Sequence, residues 1–140
     1  MNAQISERNS ATDFGNMFEC YTSLRNISEL EYLDTNNTKF FNNMFSGCSS
    51  LSDIKALEDW NESNAISFSN MFSVCKSLSD IRPLKKWNVS KVQNFSNMFS
   101  KYEILSDLKA LEDWNVSNAI NFSYMFRECK SLLDIKPLQN

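Results

Sequence analysis

The sequence predicts an α/β solenoid of about five 27-residue repeats, each a short helix plus a short strand. Three observations predict it. The dipeptide Met-Phe recurs at Met17-Phe18, Met44-Phe45, Met71-Phe72, Met98-Phe99 and Met125-Phe126, a constant step of 27 residues. Apolar columns recur with it: Phe14/41/68/95/122, Phe18/45/72/99/126, Leu24/51/78/105/132, Ile27/54/81 with Leu108 and Ile135, and Leu30/57/84/111/138. A single copy is too small to bury such a face, so stability has to come from stacking neighbours.

The chain then divides as one domain, 1–140. It holds a partial repeat at 1–13, full repeats at 14–40, 41–67, 68–94 and 95–121, and a truncated repeat at 122–140. Within the third copy, Ser69 to Cys75 reads as a short helix. A Ser or Asn N-cap precedes it, and Phe and Met about four residues apart share a face. The segment LSDIKAL reads next as a short strand, with Leu51 and Ile54 inward and small Ala56 before Leu57. Pro83 and Pro137 take the Ala56 place in two copies, and proline cannot donate to a ladder, so the strand ends about there. The WNVSN stretch is a turn, because Asn and Ser side chains bond local backbone.

A 54-residue period overlies the first: copies two and four share ALEDW and SNAI, and copies three and five share a proline. It alternates charge, Glu58-Asp59, Lys85-Lys86, Glu112-Asp113, and predicts opposite charges side by side on adjacent turns, fixing register.

Bulk chemistry excludes several functions. A net charge of −3 and a pI of about 5.0 argue against nucleic-acid or anionic-membrane partners, which need a basic footprint. Histidine is absent, which removes the commonest general base and metal ligand. Gly15 and Gly47 are the two glycines, too few for a phosphate-cradling loop. No catalytic residue, cofactor or metal site is expected. No apolar run reaches 18 residues and MNAQISERNS lacks an apolar signal core, so the expectation is an internal protein, or a surface or secreted one whose export signal lies elsewhere.

The motif Met-Phe-x-x-Cys-x-Ser-Leu, at Met44–Leu51, Met71–Leu78 and Met125–Leu132, is followed by LSDIKAL and WNVSN. Together these resemble the BspA-like leucine-rich-repeat surface proteins, a repeat family also known as a domain of unknown function in mycoplasmas, gut bacteria and some protists. The resemblance covers roughly Ser6 to Asn140. It implies a right-handed leucine-rich-repeat coil, displayed at the cell surface and linked to adhesion or host-protein binding, with no catalytic residues. Tyr21 and Tyr102 stand where that family has Cys, and the period is slightly longer than usual for it.

Cys48, Cys75 and Cys129 share one repeat position, with Cys20 one place earlier. Helices on adjacent turns pack about 8–10 Å apart, beyond the roughly 7 Å a disulfide spans, so the thiols read as buried apolar groups. The Trp column, Trp60, Trp87 and Trp114 with Leu33 in the first copy, reads as buried packing in preference to an exposed row for stacking ligands. Asn-x-Ser/Thr sequons at Asn26, Asn36, Asn61, Asn88, Asn94, Asn115 and Asn121 are compatible with glycosylation only in a eukaryotic secretory setting.

The acidic column Asp53, Asp80, Asp107 and Asp134 alternates with Lys55, Arg82, Lys109 and Lys136 two residues on. This is either a solvated, self-neutralising strip or a partner-binding one. With the resemblance, it makes these eight residues the expected concave binding strip of a non-catalytic protein–protein interaction module from an adhesin-like surface protein. The alternative is a structural spacer or self-assembling scaffold within a longer protein, stacking end to end.

Overall fold

The computed structural model describes residues 12–133. Its backbone winds in stacked turns whose spacing is the sequence period. Isolated parallel bridges join Asp13 to Phe40, Phe40 to Ser67, Ser67 to Asn94 and Asn94 to Asn121. From there each turn donates to the next through every second amide. Phe14, Asn16, Phe18 and Cys20 N–H reach the carbonyls of Phe40, Asn42, Met44 and Ser46 at 2.9, 2.9, 2.9 and 2.7 Å. The same set recurs from Phe41, from Phe68 and from Phe95.

The α/β leucine-rich-repeat solenoid does not hold. Among the described residues there is no α-helix and no strand; the regular elements are four 3₁₀ helices of three to five residues. The expected helix after each Phe is a run of tight turns. Intervening amides turn back three residues, Met71 N–H to Phe68 and Ser73 N–H to Asn70, while the others leave for the neighbouring turn. Two positions per turn also have left-handed φ: Asn16, Asn43, Asn70, Asn97 and Tyr124, then Cys20, Gly47, Val74, Lys101 and Glu128. Left-handed residues stop an α-helix at one residue, and asparagine tolerates that region better than most.

The expected strand fails for a different reason. Leu51, Ile54 and Leu57 all face the core, a spacing of three that matches the 3₁₀ period and not the two-residue period of a strand. The segment ends in the 3₁₀ helices Lys55–Leu57, Arg82–Leu84 and Lys109–Leu111, with Ser28–Tyr32 in the first turn. Pro83 therefore sits in the first turn of a 3₁₀ helix, where its missing N–H costs nothing, and does not cap a strand.

The columns form one continuous core. Phe41, Phe45, Phe68, Phe72, Phe95 and Phe99 are fully buried. The rings of Phe18, Phe45, Phe72, Phe99 and Phe126 stack nearly parallel at 5.6–6.0 Å. Each such side chain withdraws enough apolar surface to contribute about 1.5–3 kcal/mol. Trp60 and Trp87 are buried as expected, and Trp114 is half-buried. All four cysteines are free; Cys48 and Cys75 are buried and their thiols donate to the carbonyls of Phe18 and Phe45 at 3.2 Å.

The alternating charges do not pair across turns. Among the described residues, Lys85 and Lys86 form no ion pair with Glu58, Asp59, Glu112 or Asp113. Register is held instead by the backbone ladder and by polar side chains at two corners. Ser69 and Ser96 hydroxyls meet at 2.9 Å, Ser73 and Ser100 at 2.8 Å, and Asn61 Nδ2 donates to Asn36 Oδ1 at 2.7 Å.

Candidate partner-binding face

The 3₁₀ segments place the acidic–basic strip on one face. Each aspartate stands two residues before the first free amides of its 3₁₀ helix and accepts from them. Asp53 Oδ1 takes Lys55 N–H at 2.8 Å, Asp80 takes Arg82 N–H at 3.0 Å, and Asp107 takes Lys109 N–H at 2.7 Å. Asn26 does the same for Ser28 at 2.9 Å. These are Asx turns, which start the 3₁₀ helix by satisfying a donor that would otherwise face solvent. One role of the aspartate column is therefore local and explains its regularity.

The basic column behaves unevenly. Arg82 forks onto Asp80, with Nε to Oδ1 at 2.8 Å and Nη2 to Oδ2 at 2.6 Å. The guanidinium holds the Asp80 carboxyl below its usual range, and the carboxylate raises the Arg82 guanidinium in turn. Lys55 and Lys109 make no ion pair among the described residues, so the self-neutralising strip is closed at Asp80–Arg82 and open on either side.

Three open grooves of about 700, 590 and 690 Å³ run along this face. The first lies between the first and second turns, with Glu31, Tyr32, Asp53, Lys55, Glu58 and Asp59 on its walls. The second joins Asp53 and Lys55 to Asp80 and Arg82. The third joins Asp80 and Arg82 to Asp107 and Lys109, with Lys85 and Lys86 beside them. Six of the eight expected strip residues thus line a connected surface; Asp134 and Lys136 lie outside the described residues.

Three features of the face were not expected from the sequence. Glu58, Lys85 and Lys86, read there as register charges, line the grooves with the strip. Tyr32 stands 78% exposed at the rim, its hydroxyl bonded to Glu31, which raises its titration. Pro83 forms part of the floor of two grooves. The doubled acidic and basic residues after each Leu of the column were the signal for the first of these.

The other polar rows are occupied internally. The oxygens of Asn61, Asn88 and Asn115 accept from Ser63, Ser90 and Ser117 N–H, and Asn94 and Asn121 accept from Ser96 and Ser123. These five sequon asparagines therefore serve as Asx turns at the corners, while Asn36 Oδ1 accepts from Asn61 Nδ2 on the next turn. Among the described residues no three His, Cys, Asp or Glu side chains converge to hold a metal ion, and no helix is long and apolar enough to cross a membrane.

A family model described as Mycoplasma protein of unknown function, DUF285, matches residues 12–137. No curated protein and no solved structure matches the chain.

Proposed function

We propose, for a chain that belongs to the DUF285 family of Mycoplasma proteins of unknown function, the role of a non-catalytic protein-binding module that meets its partner through the grooved 3₁₀ face. One contrast carries this reading. At the corners, Asn and Ser side chains are spent on neighbouring turns. On the 3₁₀ face, Lys55, Glu58, Lys85, Lys86 and Lys109 form no ion pair among the described residues and line connected grooves. Charges of both signs in a fixed order suit recognition of a protein surface of complementary order, since charge matching sets specificity and encounter rate. Histidine, the commonest general base, is absent from the chain. Display at the cell surface in an adhesin-like protein, as the resemblance to the BspA-like proteins implies, is part of the proposal.

The test is residue-level crosslinking. A photoreactive amino acid is placed at Lys55, Lys85 or Lys109, and for comparison at exposed Asn37 beside the Asn36–Asn61 corner contact, and each variant is exposed to intact source cells and host-cell proteins. A protein captured from the three face positions, lost on Lys85→Glu/Lys86→Glu with the melting temperature unchanged, supports the reading. Equal capture from Asn37, or capture that survives the charge reversal, rejects this face. Mild proteolysis of intact source cells tests location: cleavage of the repeat region before lysis puts it outside, and full protection puts it inside.

A spacer role is favoured by one observation, the Asx-turn duty of Asp53, Asp80 and Asp107, which accounts for the acidic column without a partner. It predicts no specific crosslink from any of the three positions.

A further inference from the structure

Each turn carries one side chain at the place two residues after the tryptophan position, and in the first two turns it meets the backbone of the next turn. In the first turn this is Thr35, whose Oγ1 accepts Asn61 N–H at 3.0 Å. In the third turn it is Val89, which is buried, and in the fourth Val116, which is exposed. In the second turn it is Glu62, a carboxyl group in a slot otherwise filled by a hydroxyl or a methyl pair. Glu62 is 3% exposed. Its Oε1 accepts Asn88 N–H from the third turn in a short hydrogen bond. Its Oε2 is buried without a hydrogen-bond partner.

We propose that Glu62 makes the seam between the second and third turns a proton-operated joint, closed while its carboxyl is protonated and loosened when it ionises. A neutral carboxyl fits the slot, with its carbonyl oxygen on Asn88 N–H and a hydroxyl as the single unsatisfied group. A carboxylate there meets backbone N–H groups alone and no counter-charge, and an unpaired buried charge is far costlier than an unpaired hydroxyl. The flanking charged side chains do not supply one. Asp34, on the first turn, has its Oδ1 on Asn36 N–H. Lys91, on the third turn, has its ammonium on Asn64 Oδ1. Asp59 on its own turn and Lys86 on the third are exposed.

Burial accordingly pushes the Glu62 carboxyl up to about 7, against the weaker opposing pull of Asn88 N–H and its own N–H. The native state then holds a proton that the unfolded chain releases near 4.3. Stability contributed at this seam is full below that value, declines as pH rises, and is lost above about 7. The transition falls in the neutral range, where an ordinary glutamate is silent. The inference is independent of the partner-binding face.

The experiment is an NMR titration of the full chain between pH 5 and 9, following the Glu62 side-chain carbon and the exchange of the Asn88 amide. The expected carboxyl midpoint lies near 7. Asn88 exchange in wild type, relative to Glu62→Gln, is expected to rise roughly tenfold between pH 5.5 and 8.5. If the glutamine variant does not fold, Glu62→Val, the residue of the third and fourth turns, replaces it. A carboxyl midpoint near 4.3 overturns the proposal, and so does an Asn88 exchange ratio that stays flat with pH.

Discussion

The indole Nε1 of Trp87 donates to the carbonyl oxygen of Leu57, 3.0 Å away and thirty residues earlier. Trp60 reaches Leu30 at 2.8 Å and Trp114 reaches Leu84 at 3.0 Å in the same way. Leu30, Leu57 and Leu84 lie at or near the ends of their 3₁₀ helices, and each carbonyl also accepts the N–H three residues on, from Leu33, Trp60 and Trp87. The tryptophan column therefore does more than fill space. It ties the exit of each 3₁₀ segment to the following turn, and Leu33 in the first turn lacks the donor to do so. Trp87→Phe keeps a ring against Trp60 and Phe68 but removes one of the two donors to the Leu57 carbonyl, which keeps Trp60 N–H at 3.3 Å. It is expected to lower unfolding free energy by about 0.5–1.5 kcal/mol, read from the urea midpoint. An unchanged midpoint would show that the hydrogen bond contributes nothing.

The repeat length, its register and the buried columns were legible because identical residues at identical spacing leave little choice of what stacks on what. The local conformations were misread for reasons visible in the same residues. Phe68 and Phe72 lie four apart, as on a helix, but Asn70 between them takes left-handed φ and Val74 follows at φ 62°. Seven residues offer too few intrahelical bonds to resist that. Leu51, Ile54 and Leu57 lie three apart, which never fitted a strand. The strip was found from the Asp/Lys alternation, yet the aspartates' role as Asx acceptors needed coordinates. Glu62 was missed although Thr35 and Val89, both buried at its place, mark it as an interior position.

Tyr102 takes the Cys48 and Cys75 position in the fourth turn, fully buried, with its ring edge-on to Phe99 at 5.9 Å. Its hydroxyl lies against the Cys75 thiol and has no hydrogen-bond partner; burial drives its titration far upward. Removing the unsatisfied group should help. Tyr102→Phe is expected to raise unfolding free energy by about 1 kcal/mol, measured by urea denaturation. A loss of stability would mean that the hydroxyl–thiol contact is favourable.

Val74 holds φ 62° at a place where other turns carry Cys20, Gly47, Lys101 and Glu128. A β-branched side chain in the left-handed region is strained, at about 1–3 kcal/mol. Val74→Gly is expected to stabilise by about 0.5–1 kcal/mol after the glycine's extra unfolded-state entropy is subtracted. The converse change, Gly47→Val, is expected to cost more than the strain alone. A Cβ at Gly47 would stand 3.3 Å from the Cys20 Cα. Thermal melts of the two variants check both signs.

Thiol chemistry separates Cys20 from Cys48 and Cys75 by burial. Cys20 is exposed, whereas burial pushes the Cys48 thiol up to about 11 and drives Cys75 higher still. Thiolate is the reactive form, so at pH 8 Cys48 presents roughly one thiolate in a thousand, against about one in four for a free cysteine at its ordinary value near 8.5. One thiol, Cys20, is expected to react with a disulfide reagent promptly. Cys48 and Cys75 are expected to follow about a hundredfold more slowly, at a rate set by opening of the stack, and to accelerate in urea below the midpoint. Prompt labelling of Cys48 would mean that the second turn opens without global unfolding, and would move the weakest seam of the molecule there.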